Sequence, residues 1–76
     1  MEFERLQSVI AAVMNVDPED ITLDTSFEED LGADSLSMAE ILIGLEDEFD
    51  ISFPEDVDIK SIVTVGDALE QLRTYL

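Results

Sequence analysis

Ser35, in the run Asp34-Ser35-Leu36, stands where a loop gives way to an apolar helical pattern. It falls near the first helical position, where backbone N–H groups have no partner within the helix. A phosphate on its oxygen would lie at the positive end of the helix dipole. On the local pattern alone, Asp34 and Ser35 as caps and nothing more is the better-supported reading. Nucleophilic catalysis fits less well. The 76 residues contain no Cys and no His. That removes thiol nucleophiles, thiolate metal sites, disulfides and the Ser–His and Cys–His dyads. The base nearest to Ser35 in sequence is Lys60, and Gly32-Ala33-Asp34-Ser35 does not make the Gly-x-Ser-x-Gly elbow of a serine hydrolase.

Four helical stretches must position this serine, in a single domain covering residues 1–76. The first spans about Glu2–Met14, with Phe3, Leu6, Ile10 and Val13 on one stripe. Asn15 and Asp17-Pro18 end it, because the residue before a proline resists the α conformation. Residues 16–34 form a long connection with spaced apolar anchors Val16, Ile21, Leu23, Phe27 and Leu31, which points to a loop packed down by its own side chains. The second helix spans Ser35–Asp50 with Asp34 as N-cap. The third is short, about Pro54–Ile62, with Pro54 near its first position. The fourth follows Thr64, where Thr64-Val65-Gly66-Asp67 resembles a capping box, and its apolar face is Val65, Ala68, Leu69 and Leu72. The expected fold is all-α: a small antiparallel-type four-helix bundle with a short third helix and a long packed loop between the first two.

The second helix carries apolar residues on two sides. With Met38 at the centre of one face, Ile41, Leu42, Leu45 and Phe49 fall within about 60° of it, as a core face requires. Leu36, Ala39 and Ile43 project elsewhere, among Glu40, Glu46, Asp47 and Asp50. A protein this small cannot easily bury both faces, so the second reads as a docking surface with an apolar centre and an acidic rim.

Twenty acids face three bases, Arg5, Lys60 and Arg73, for a net charge of −17. Nucleic acid is excluded as a partner, since binding it means neutralising phosphates with Lys and Arg. Anionic membrane surfaces are excluded for the same reason. Basic proteins and divalent cations are the natural partners. No Asp-x-Asp-x-Asp-Gly loop is present, so no metal site is expected. No stretch reaches the ~18 apolar residues of a membrane span, and Met1-Glu2-Phe3-Glu4-Arg5 lacks the build of a signal peptide, which gives a cytoplasmic setting.

Asp30-Leu31-Gly32-Ala33-Asp34-Ser35-Leu36 resembles the modification motif of acyl carrier proteins of the freestanding, fatty-acid synthesis type. The resemblance runs along nearly the whole chain. Ser26-Phe27 precedes the motif. Glu40, Leu45-Glu46-Asp47-Glu48-Phe49-Asp50-Ile51, Pro54 and Ile62-Val63-Thr64-Val65-Gly66-Asp67-Ala68 follow it. Ser37 departs from the pattern, standing where an acid commonly follows Ser-Leu.

The resemblance implies that Ser35, next to Asp34, receives 4′-phosphopantetheine from coenzyme A. The donor enzyme is a phosphopantetheinyl transferase of the holo-acyl-carrier-protein synthase kind. The arm's thiol then carries acyl groups as thioesters between enzymes of fatty-acid or related polyketide biosynthesis. The protein itself is a carrier and not an enzyme, and a chain without cysteine must import its thiol. Partners are fatty-acid synthesis enzymes with basic docking patches, met by Leu36, Ala39, Glu40, Ile43, Glu46 and Asp47, and the carrier is expected to be a monomer. Phe27, Leu42, Leu45, Phe49, Ile59 and Ile62 are the candidates for lining an acyl pocket, or else plain core.

Overall fold

The computed structural model describes residues 2–76. Three α-helices carry the fold: α1 (Glu2–Met14), α2 (Ser35–Phe49) and α3 (Val65–Thr74), with single 3₁₀ turns at Pro18–Asp20 and Ile59–Ser61. The apolar stripe of α1 faces inward, with Leu6 and Ile10 fully buried and Phe3 and Val13 packed at its edges. Met38, Ile41, Leu42 and Leu45 of α2 and Val65, Ala68, Leu69 and Leu72 of α3 join them in one core. These are the positions that a 3.6-residue period selects.

Helices α1 and α2 end alike. Asn15 (φ 57°) and Asp50 (φ 54°) adopt the left-handed conformation. One residue further on, Val16 N–H donates to Ala11 O (3.2 Å) and Ile51 N–H to Glu46 O (3.1 Å), each taking up an orphan carbonyl of the last turn. Asp50 thus caps α2 rather than continuing it, one residue short of the span expected from sequence. The start of α3 is held by a complete capping box: Thr64 Oγ1 accepts from Asp67 N–H (3.2 Å), and Asp67 Oδ2 accepts from Thr64 N–H (3.0 Å).

The short third helix expected over Pro54–Ile62 is replaced by turns and one 3₁₀ turn, so three α-helices stand where four were expected. Asp58 is the cause. Its carboxylate accepts from Lys60 N–H (3.2 Å), two residues on, and its carbonyl accepts from Ser61 Oγ (2.8 Å). Its own backbone is extended (φ −82°, ψ 90°). A side chain bonded to the nearby backbone offers the chain an alternative to the helical ladder. The β-branched Val57 and Ile59 on either side favour that alternative.

The connection from Asn15 to Asp34 is held by backbone bonds as well as by its anchors. Phe27 N–H donates to Val63 O (3.0 Å), Val65 N–H to Thr25 O (2.9 Å) and Gly66 N–H to Leu23 O (2.9 Å). Ser26 and Thr64 pair between them as an isolated antiparallel bridge. Gln7 Nε2 adds a tie from α1, donating to Ile21 O (2.7 Å) and Pro18 O (3.1 Å). Ile21 and Phe27 are buried and Val16 and Leu31 partly so, whereas Leu23 is exposed and contributes through its carbonyl.

Gly44 lies where α1 packs tightly on α2: a Cβ there would come within 2.8 Å of Val9 Cγ1. Valine in a helix is nearly fixed at χ1, so it cannot swing away. Alanine at position 44 gains about 1 kcal/mol in helix propensity but meets overpacking of about 1–3 kcal/mol. Gly44→Ala is therefore expected to lower the thermal midpoint of the native protein and to raise it in a Val9→Ala background. Equal gains in both backgrounds would show that the contact is not tight.

Candidate functional site

The site is assembled where the connection enters α2. Gly32 turns the chain with φ 66°, a conformation that costs an L side chain energy, and Ala33 N–H then donates to Phe27 O (2.8 Å). Asp34 follows as the N-cap, its Oδ1 accepting from Ser37 N–H at 2.8 Å. Capping thus falls to Asp34, and Ser35, the first residue of α2, is exposed and outside the cap bond.

A cleft of about 380 Å³ opens beside Ser35. Phe27, Ala33, Met38 and Ile62, all buried, contribute apolar wall, with Ile59 and Val63 beside them. Its polar lining is Glu28, Asp34, Ser35 and Lys60. Of the six pocket candidates, Phe27, Ile59 and Ile62 line this cleft. Leu42 and Leu45 are buried in the core and line no part of it, and Phe49 lies under the Arg5 guanidinium, 4.3 Å from its ring centre. Met38, Ala33, Val63 and Lys60 also line the cleft, beyond the residues the sequence points to. Met38 is the one that carried a signal, as the centre of the inward face of α2.

The outward side of α2 leaves Leu36 and Ile43 67% and 64% exposed, with Ala39 half-buried and Glu40 and Asp47 exposed. Glu46 has a second commitment, since its Oε2 accepts from Phe53 N–H (2.7 Å) and fixes the chain leaving α2.

The family-model comparison matches residues 4–72 to the phosphopantetheine attachment site domain. The chain belongs to the acyl carrier protein family. It is 43% identical over 68 residues to an acyl carrier protein of Sulfurovum sp. (strain NBC37-1), covering 90% of this chain and 89% of that one. It is 36% identical over 75 residues to an acyl carrier protein of Clostridium acetobutylicum, covering 99% and 96%. Among solved structures, the apo doublet acyl carrier protein from prodigiosin biosynthesis superposes with a TM-score of 0.81 at 27% identity, over 97% of this chain and 35% of the doublet. Acyl carrier proteins are carriers rather than catalysts, and membership implies a covalently attached 4′-phosphopantetheine. The residues present fit that group: an exposed hydroxyl outside the helix cap, at the edge of a cleft with an apolar wall. Among the described residues, no helix is long and apolar enough to cross a membrane.

The Asp34 carboxyl is held below its ordinary range, first by the Ser37 backbone N–H and then by the Ser37 side chain. A carboxyl whose folded pKa lies below its unfolded value stabilises the fold fully above about pH 4, and loses that contribution as pH falls through the folded value. Asn in its place keeps an oxygen for the cap without the titration. The stability difference between the native protein and Asp34→Asn is expected to be constant from pH 7 to 5 and to shrink below pH 4, followed by denaturant melts across the series. A difference that does not change with pH would show that Asp34 caps α2 without benefit from its charge.

Proposed function

We propose that Ser35 is the attachment residue and that the protein carries acyl thioesters between enzymes of fatty-acid or related polyketide biosynthesis, as one carrier domain acting as a monomer in the cytoplasm. The observation that carries this reading is the exposed Ser35 hydroxyl at the first position of α2, within Asp34-Ser35-Leu36 and beside the cleft. When bound, the arm supplies the thiol that the chain lacks. Asp34 fixes the first turn of α2 and so aims the Ser35 oxygen outward, where a separate phosphopantetheinyl transferase can reach it. Phe27, Ile59 and Ile62 offer the acyl chain an apolar wall within reach of the attachment point. Leu42, Leu45 and Phe49 act as the packing behind it.

Partner recognition falls to the outward side of α2. Leu36, Ala39 and Ile43 supply apolar contact next to the serine. Glu40 and Asp47, with Glu46 at the edge, draw basic patches on the transferase and on the synthesis enzymes. Charges at such a rim act mainly on the rate of association, and the apolar centre supplies the buried area.

Incubation with coenzyme A, Mg²⁺ and a phosphopantetheinyl transferase is expected to add one phosphopantetheine by intact-mass spectrometry. Ser35→Ala is expected to keep its helical circular dichroism and to gain no mass. Modification of Ser35→Ala at another residue would overturn the assignment.

A further inference from the structure

Lys60 stands apart from the other two bases. Arg5 Nε pairs with Glu48 Oε2 at 2.9 Å, and its guanidinium covers Phe49. Arg73 Nε lies 3.4 Å from Glu2 Oε1. Among the described residues, Lys60 makes no ion pair in a chain with twenty acids. It is exposed, and it is the single cationic residue lining the cleft beside Ser35. Its backbone is fixed: Lys60 N–H donates to Asp58 Oδ1 (3.2 Å), and Ile62 N–H closes the 3₁₀ turn on Ile59 O (3.0 Å). The turn that displaces the expected third helix therefore sets where the lysine stem leaves the chain.

The other charged residues of the cleft are Glu28 and Asp34, and the Asp34 carboxylate is occupied by the Ser37 N–H. A phosphodiester on the Ser35 oxygen adds one negative charge to this acidic neighbourhood. The head of α2 offsets part of that charge. An ammonium lining the same cleft offsets more, and because Ser35 and Lys60 are both exposed, salt screens the attraction.

We propose that Lys60 is the phosphate-binding residue of the carrier, holding the phosphodiester of a Ser35-linked arm against the mouth of the cleft and so directing the arm along the wall formed by Ile59 and Ile62. This rests on Ser35 as the attachment residue. It gives Lys60 a role that a merely solubilising surface charge would not have, because its contribution exists only once the arm is attached.

The test compares the native protein, Lys60→Gln and Lys60→Arg, each before and after loading by a transferase and each checked by intact mass. Thermal midpoints are taken at low salt and in added NaCl, and ³¹P spectra of the loaded forms are compared. Loading is expected to lower the midpoint of Lys60→Gln by about 2–5 °C more than that of the native protein. The difference should shrink in NaCl over the range where the Debye length falls below about 10 Å. Lys60→Arg should behave as the native protein, and Lys60→Gln should shift the phosphodiester resonance. Full loading with equal midpoint changes and an unmoved resonance in all three would overturn the role of Lys60 while leaving Ser35 in place. Failure of the native protein to gain mass would overturn the Ser35 assignment and this proposal with it.

Discussion

The backbone tie between the long connection and the segment entering α3 is the constraint on which the rest of the molecule depends. Three hydrogen bonds, from Phe27 to Val63, Val65 to Thr25 and Gly66 to Leu23, lock two stretches some forty residues apart in sequence. On one side the tie places the Phe27 ring in the core, and Phe27 O then receives Ala33 N–H and delivers Asp34 and Ser35 to the head of α2. On the other it fixes Val63 and, through the preceding turn, Ile62 and Lys60. Both walls of the cleft are thus hung from one short bridge. Helix packing alone would leave the serine and its cleft free to drift apart. The capping box at Thr64 and Asp67 anchors that bridge to α3: Asp67 Oδ2 also accepts from Val63 N–H at 3.1 Å.

The charge distribution works against the fold and supports the proposed role of α2 in recognition. Glu46, Asp47, Glu48 and Asp50 crowd the C-terminal end of α2, where the helix dipole is already negative. Two of them are compensated locally, Glu46 by Phe53 N–H and Glu48 by Arg5. Asp47, with Glu40 a little under two turns earlier, stays exposed next to Leu36 and Ile43. Self-repulsion of this kind lowers stability but projects a negative field around an apolar centre, the arrangement that the proposed docking of basic surfaces requires. The acids are therefore best understood by where they stand on α2 and not by their number.

Much of this was legible in the sequence because it depends on local rules. The inward face of α2, the exposed Leu36 and Ile43, the Asp34 cap and the capping box of α3 all follow from helical period and side-chain reach. Three features were not legible, each because it turns on a contact between distant residues or on a competition between near-equal local states. The Pro54–Ile62 helix lost to the Asp58 turn, although Pro54 and the apolar spacing favoured it. Gly44 owes its place to Val9 Cγ1, which an added Cβ would meet at 2.8 Å across the α1–α2 contact. The division of the pocket candidates, with Phe27, Ile59 and Ile62 on the cleft and Leu42, Leu45 and Phe49 behind it, follows from the bridge at Ser26 and Thr64, which no periodicity announces.

The cleft flanking Ser35 is the proposed shelter of the cargo. Methyl NMR of the carrier loaded with a medium-length saturated acyl chain, compared with the same carrier bearing the bare arm, tests it most directly. A sheltered chain is expected to give its largest shifts at Met38, Ile59 and Ile62, with Leu36 and Ile43 nearly unmoved. Shifts confined to Leu36 and Ile43 would place the chain on the outward side of α2 and contradict the proposed shelter.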